Sequence, residues 1–329
     1  MIRASKPFRW LISTMVLGLL LLCVGPPAFI SAATTEKVTI KVNGEVIKMT
    51  EPVYAREGRL YVPAALAYEF GANASWDNDN EELTIHTALN DKVVLGNRVP
   101  VVYFNGVRYV MDALPFMADG RLYIPVREFA QILHANLNTN AGGDVLDFTI
   151  VKPEVTATNY GWAQISKATG ATLAELLERN GLNTNTAVAS VAGTKIKVVI
   201  PAFFNNPAES YTDTEFQLLA KITMVEAGYE GYEGQLAIAN VILNRVKNPK
   251  FPDTIRDVIY SGRQFPPAHN GLLDKSKPNA SVLRAVKDAL NGKNNVGNSV
   301  YFFNPNVSKG EFWSSMDVIV TIGHHSFAK

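Results

Sequence analysis

Of the 30 acidic residues in this 329-residue chain, Glu226 is set apart by what surrounds it. Thr212-Asp213-Thr214-Glu215 supplies a capping box and acidic side chains for the positive end of a helix, so a helix is predicted from near Thr212 to near Gly228. Along it Phe216, Leu219, Thr223 and Glu226 share one face, while Leu218, Ile222 and Val225 share another. Both faces are apolar, which predicts a buried helix. Glu226 then lies near the helix C-terminus, where desolvation and the negative helix end both disfavour the ionised form. A carboxyl that keeps its proton near neutral pH is what a general acid needs to protonate the leaving oxygen of a glycosidic bond. Taken alone, a glutamate near a helix end is more often structural or solvated, so its neighbours must decide. Two more carboxylates follow, Glu230 and Glu233. Glu230, four residues on and past Gly228, either approaches the same cleft or anchors the loop as a hydrogen-bond acceptor.

Other chemistries find little support. The single cysteine, Cys23, lies in an N-terminal apolar run, which removes cysteine nucleophiles, zinc-cysteine sites and disulfides from the mature chain. The five histidines, His86, His134, His269, His324 and His325, offer no zinc-ligand set with a carboxylate. His86 and His134 read as surface or packing residues. The adjacent His324 and His325 are expected on opposite sides of a strand, in structural roles. Neither metal nor cofactor is expected. With 31 basic and 30 acidic residues the net charge is +1, too little for a field that would hold a nucleic-acid backbone.

The length predicts two or three domains. Arg3, Lys6 and Arg9 precede the apolar run Trp10 to Val24 and the small residues Ser31-Ala32-Ala33, the pattern of an export signal over 1–33 with cleavage after Ala33. The run is shorter than the roughly 20 apolar residues that span a bilayer, so no stable membrane insertion is expected after cleavage. Residues 38–152 hold an internal repeat: Gly58-Arg59-Leu60-Tyr61-Val62-Pro63 returns 62 residues later as Gly120-Arg121-Leu122-Tyr123-Ile124-Pro125. Each copy has an Asn-Gly hairpin signal (Asn43-Gly44, Asn105-Gly106), the shared strand, a short helix (64–70, 126–133) and a closing strand (83–85, 146–150). This strand-rich unit resembles the small N-terminal domain named after copper amine oxidases. No copper-ligand histidine cluster accompanies the resemblance.

Between 154 and 201, Trp162, Ile165, Leu173, Leu176 and Leu177 outline two short amphipathic helices around Gly170-Ala171-Thr172. Through Gly170, Leu173, Asn180, Leu182, Gly193, Ile196 and Pro201 the segment resembles a LysM carbohydrate-binding module, departing from it at Thr158-Asn159-Tyr160-Gly161; the alternative is a helical linker. Residues 202–211 read as a linker into the last domain, 212–329.

That last domain carries an ordered series of matches. Glu226-Ala227-Gly228-Tyr229-Glu230 and the run on to Val246 resemble the signature of cell-wall hydrolases related to spore cortex-lytic enzymes. Phe251-Pro252, Val258-Ile259-Tyr260, Gln264-Phe265, Ala285 to Gly292, Tyr301 to Pro305 and Ile322 to Phe327 follow in family order. The family's usual Gly-Glu-Ala-Arg-Gly-Glu is altered here, with Val225 before the glutamate and Gly228-Tyr229 for Arg-Gly. The resemblance implies a mainly helical, lysozyme-like fold similar to lytic transglycosylases, and therefore an α+β multidomain chain overall. It implies that Glu226 is the catalytic acid and that peptidoglycan is the partner, cut between N-acetylmuramic acid and N-acetylglucosamine with an anhydromuramyl end as product. Glu230, Gln264, Phe265, Tyr301 and Asn304 are expected to line the groove, since amides and aromatic faces suit sugar hydroxyls and pyranose rings. For Asn304 the alternative is turn capping before Pro305, and for the aromatics core packing. A hydrolytic muramidase and a non-catalytic wall-binding protein remain as alternative functions. The expected location is secreted or cell-wall, with spore cortex and vegetative wall both open.

Overall fold

The computed structural model describes residues 33–35, 38–182, 191–262 and 264–329. All of the expected signal segment except Ala33 lies outside the described residues.

Two copies of one pattern intertwine to form the N-terminal half. The strands are β1 (Ala33–Thr35), β2 (Thr39–Val42), β3 (Glu45–Ile47), β4 (Val53–Arg56), β5 (Arg59–Pro63), β6 (Asn73–Asp77), β7 (Glu82–His86), β8 (Lys92–Gly96), β9 (Val101–Phe104), β10 (Val107–Val110), β11 (Phe116–Ala118), β12 (Arg121–Pro125), β13 (Ala135–Thr139) and β14 (Val145–Ile150). A 3-10 helix, Ala64–Phe70, follows β5, and α1 (Val126–Ile132) follows β12 at the equivalent place. Asn43-Gly44 and Asn105-Gly106 both take positive φ, as a two-residue hairpin turn requires. Glu57-Gly58 and Asp119-Gly120 do the same before the shared strand, so each copy contains a second tight hairpin that its lone glycine only hinted at.

The copies exchange partners. The shared strands pair with each other, Ile124 opposite Val62, in a sheet ordered β1-β4-β5-β12-β11. The first copy's hairpin joins the second copy's closing strands in β13-β14-β2-β3, and the second copy's hairpin joins the first copy's closing strands through the additional β8 in β10-β9-β8-β7-β6. Neither copy can close its own core. Phe70 and Phe148 meet edge-to-face at 5.4 Å, and both meet Phe129, which is fully buried. Truncating Phe129 to Ala would cost about 3–5 kcal/mol.

Residues 154–201 fold as β15 (Glu154–Val155), α2 (Trp162–Thr169), α3 (Leu173–Arg179) and β16 (Lys195–Ile196), the strands pairing antiparallel. Gly170 ends α2 in the left-handed region and Thr172 caps α3 in a capping box with Glu175. Trp162, Ile165, Leu176, Leu177 and Ile196 make a small core, while Leu173 is exposed. This unit is welded to the N-terminal half. Asp91, 1% exposed, accepts from Arg179 at 2.8 Å and Lys197 at 2.5 Å. His134 is buried as a neutral ring: Nδ1 donates to the Val151 carbonyl and Nε2 accepts from the Val198 and Val199 amides. Burial pulls this histidine down to about 4. The expected linker is also packed. Phe203 and Phe204 are buried against Phe104 and Tyr109, and Pro207 forms a bridge with Tyr109.

The C-terminal half is helical: α4 (Asp213–Ala227), α5 (Tyr232–Val246), α6 (Ile255–Tyr260), α7 (Leu272–Lys275), α8 (Ala280–Leu290) and α9 (Glu311–Ser314), with a sheet of β17 (Tyr301–Phe303), β18 (Val318–Ile322) and β19 (His325–Ala328) in the order β17-β19-β18. Every residue of α5 from Leu236 to Ile242 is buried, which makes it the central helix. α8 turns Val282, Ala285, Val286 and Ala289 into the same core. Its outer face meets the N-terminal half, with Arg284 on Glu81 at 2.8 Å and Lys287 on Glu82 at 2.6 Å. Just beyond α8, the buried Asn291 side chain accepts from Tyr103 and Arg108. The observed class is α+β, strand-rich at the N-terminal end and mainly helical at the C-terminal end. Among the described residues no helix is long and apolar enough to cross a membrane.

Candidate active site

The helix that carries Glu226 starts and stops where its sequence dictates. Thr212 Oγ1 accepts from the Glu215 amide at 3.2 Å, and Glu215 Oε2 accepts from the Thr212 amide at 2.7 Å. Fifteen residues later the chain leaves at Gly228, where an added Cβ would stand 2.4 Å from the Met224 carbonyl oxygen, so glycine alone fits. Glu226 occupies the last turn, half-buried. Among the described residues no hydrogen bond or ion pair reaches its carboxyl. Burial pushes its proton affinity above the usual carboxylate range, and the Arg245 cation partly offsets this. One turn earlier the fully buried Thr223 hydroxyl also lacks a partner among the described residues. A half-buried carboxyl without a competing partner is free to hold a proton and direct it at a ligand.

Arg245 supplies the opposing charge. It lies 5% exposed on α5, donates from Nε to the Val300 carbonyl at 2.7 Å and stacks over Phe251 and Phe265 at 5.2 and 5.3 Å. Burial pulls its guanidinium down to about 10, while Tyr301 and Glu226 act in the other direction, so it remains charged at neutral pH. Among the described residues its Nη1 has no hydrogen-bond partner. With Asn244, which donates to the Gly297 and Ser299 carbonyls, it fixes the backbone that leads into β17 and therefore sets Tyr301. The sequence singled out Tyr301 but not Arg245. An arginine inside an otherwise apolar helical run was the signal that could have found it.

The remaining expected residues divide. Tyr301 is half-buried and electrostatically linked to Arg245, beside Phe251. Gln264 is exposed. Phe265 does not line a groove: it is fully buried, stacked with Phe302 at 6.3 Å, because this aromatic completes the helical core. Asn304 Oδ1 accepts from the Asn306 amide at 2.9 Å and its carbonyl accepts from Val307 and Ser308, which is a turn-capping arrangement.

Glu230 is engaged by the turn between β18 and β19, the arrangement that the anchoring alternative describes. Its side chain is 5% exposed, and Oε1 accepts from the His324 amide at 3.0 Å and from His324 Nδ1 at 2.9 Å, with His325 Nδ1 at 3.5 Å. Burial acts to raise its proton affinity, but the His324 hydrogen bonds outweigh it and hold the carboxyl below its usual range. Two glycines make room: a Cβ at Gly234 would lie 2.8 Å from Glu230 Cβ, and one at Gly323 would overlap Oε2. The histidines were expected on opposite sides of a strand, yet both ring Nδ1 atoms approach Glu230. The reason is that His324 sits with Gly323 in the turn between β18 and β19, and only His325 is in a strand. Exposed Glu233 accepts from Asn295 Nδ2 at 2.7 Å. Of the three, Glu226 is thus the carboxyl without a hydrogen-bond partner among the described residues. A cleft of about 1210 Å³ lies elsewhere, between the N-terminal half and the 154–201 unit, and contains no candidate residue.

Comparison with known proteins finds matches to two stretches of the chain. Residues 229–328 match the family described as Cell Wall Hydrolase, and residues 31–85 match the copper amine oxidase N-terminal domain. The C-terminal part of the chain is therefore similar to cell wall hydrolases, and its N-terminal part to the copper amine oxidase N-terminal domain. The family match begins at Tyr229, just after Glu226. The spore cortex-lytic enzyme of Oceanobacillus iheyensis is 39% identical over 124 residues, which is 38% of this chain and 45% of that protein. The spore cortex-lytic enzyme of Bacillus cereus is 37% identical over 124 residues, 38% of this chain and 48% of that one. The match spans less than half the length of either relative. Among solved structures, the catalytic domain of the germination-specific lytic transglycosylase SleB from Bacillus anthracis shares 36% identity over 37% of this chain and 98% of that one, with a TM-score of 0.35. The catalytic domain of the Bacillus cereus SleB protein shares 37% identity over 37% of this chain and 94% of its own, also with a TM-score of 0.35.

Proposed function

We propose that this protein cleaves the glycan strands of peptidoglycan as a lytic transglycosylase, with Glu226 as both acid and base. The observation that carries this reading is the half-buried carboxyl at the end of α4, without a hydrogen-bond partner among the described residues and acted on by the cation of Arg245. The protonated carboxyl gives its proton to the oxygen bridging N-acetylmuramic acid and N-acetylglucosamine as the bond from C1 to that oxygen breaks. The carboxylate then takes the proton of the muramyl 6-hydroxyl while that oxygen bonds to C1. Glu226 is left protonated again and the product carries a 1,6-anhydromuramyl end. One carboxyl suffices for this sequence, whereas standard hydrolysis uses two flanking the bond. The engagement of Glu230 by His324 and of Glu233 by Asn295 supports the one-carboxyl scheme over a hydrolytic muramidase. Mass spectrometry of fragments released from purified peptidoglycan is the test: anhydromuramyl ends are expected, and new reducing ends would replace this reading with the muramidase.

The site of action is the cell wall or spore cortex after export, a reading that rests on the basic, apolar and small-residue pattern of the first 33 positions. N-terminal sequencing of secreted protein should begin at Thr34, and an intact apolar run in the membrane fraction would count against export. The strand-helix-helix-strand order of residues 154–201 supports a LysM-like glycan-binding role. Such a unit would raise the effective substrate concentration at the catalytic domain. Deleting residues 154–201 should weaken pull-down on insoluble wall and lower activity on sacculi more than on short soluble fragments, and equal binding by the truncated and complete proteins would remove that role.

A further inference from the structure

From Arg245, whose charge acts on the candidate acid, runs a chain of aromatic rings that ends in solvent. The Arg245 guanidinium lies over Phe251, whose ring centroid is 6.2 Å from that of Tyr301; Tyr301 in turn meets Phe312 edge-on at 6.4 Å. Strand alternation explains the arrangement. Tyr301 and Phe303 of β17 face α9, where Trp313 meets Phe303 at 5.0 Å, while Phe302 between them turns inward onto Phe265. Phe312 and Trp313 contact each other at 5.0 Å and 77°. Trp313 is half-buried and holds α9 against β17, leaving Phe312 59% exposed. An exposed phenyl ring braced on two sides by other rings has lost most of its rotamer freedom before any ligand arrives, and this rigidity lowers the entropy cost of binding.

We propose that Phe312, braced by Tyr301 and Trp313, is a stacking platform for one pyranose ring of the glycan strand, a binding subsite on the surface that leads to Glu226. The inference rests on the glycan-cleaving reading above and adds a residue to it. A pyranose presents a face of C–H groups that packs on an aromatic ring while its hydroxyls stay in water, which suits a half-exposed platform better than a buried pocket. Continuity with Tyr301, and through Phe251 with Arg245, whose charge acts on Glu226, is what selects a segment of the same strand as the occupant.

The test uses the full chain in a Glu226→Gln background, so that no turnover occurs, with peptide-free N-acetylated glycan strands as the probe in isothermal titration. Phe312→Ala should weaken binding by roughly two- to tenfold. Phe312→Trp should restore it, and Val46→Ala, an equally exposed apolar position in the N-terminal half, should leave it unchanged. In the active protein Phe312→Ala should raise KM with kcat unchanged, as loss of uniform binding requires. Equal affinities for Phe312→Ala and its parent overturn the platform. So does a Phe312-dependent self-association, seen by sedimentation, with glycan affinity unaltered. If the parent cuts peptidoglycan while Phe312→Ala changes nothing, the platform falls and the glycan-cleaving reading stands. If the parent neither binds nor cuts glycan, both fall together.

Discussion

Replacing Glu230 with Gln separates the two glutamates that close sequence spacing would otherwise make rivals. In the structure the Glu230 carboxylate is 5% exposed and takes two hydrogen bonds from His324, one from the amide and one from the ring. Glutamine keeps the volume and one acceptor oxygen, so both His324 donors retain an acceptor, but the charge that strengthens them is gone. Hydrogen bonds to a charged group contribute about 1.5–3 kcal/mol against about 1 for neutral ones, so the loss should be about 2 kcal/mol of stability. Because its carboxyl is held below its usual range, the native contribution is fully present above the ordinary value of 4.5 and is lost as pH falls through the lower folded value. Urea unfolding at pH 7 should therefore show the deficit, and the parent curve should approach the variant's on acidification. Turnover of the folded variant on peptidoglycan should stay within a few-fold of the parent. Unchanged stability with turnover reduced a hundredfold would refute the anchoring argument and make Glu230 a second catalytic carboxylate.

The weld between the N-terminal half and the 154–201 unit should also be acid-sensitive. Its buried neutral His134 falls from 6.5 to about 4, so its contribution is complete above about 6.5 and is lost as pH drops towards 4, by roughly 3 kcal/mol. His134→Gln, which does not titrate, should flatten that part of the stability-pH curve, and an unchanged slope would contradict the assignment. For activity the sign is opposite in kind: Glu226 must hold its proton to act, so turnover should persist above the ordinary carboxyl range and fall as pH rises through its raised value. Arg245→Met removes the cation that holds this value down and should shift that alkaline limb further up, whereas Arg245→Lys should keep it near the parent's; a limb that stays put in the Met variant would dismiss the coupling.

Local signals carried far in this chain and long-range ones did not. The capping box at Thr212, the stop at Gly228, both Asn-Gly hairpins and the two short helices around Gly170 were legible because each depends on a few adjacent residues. The repeat was legible as a repeat, but not the exchange of strands between its copies, which is set by pairing over some sixty residues. Nor did polarity near 205–210 reveal that Phe203 and Phe204 belong to the N-terminal core. At the site, the partial burial of Glu226 in the last turn of its helix was readable from the apolar faces of that helix. For Phe265 the sequence left groove and core open, because an aromatic in a family motif serves both alike, and only the packing of this fully buried ring distinguishes them. Glu230 found its partner in His324, 94 residues away across a turn. Arg245 and Phe312 went unnoticed because each owes its meaning to rings brought together from three separate segments.

The most direct measurement of the central claim is peptidoglycan turnover by Glu226→Gln, scored beside its unfolding curve. Glutamine fills nearly the same space and still hydrogen-bonds, but it has no proton to give, so the fold should persist. General acid catalysis contributes about a hundred- to ten-thousand-fold, and turnover should fall by at least the lower figure. A Glu226→Gln protein that unfolds like the parent and still clears peptidoglycan at close to the parent's rate would contradict the account.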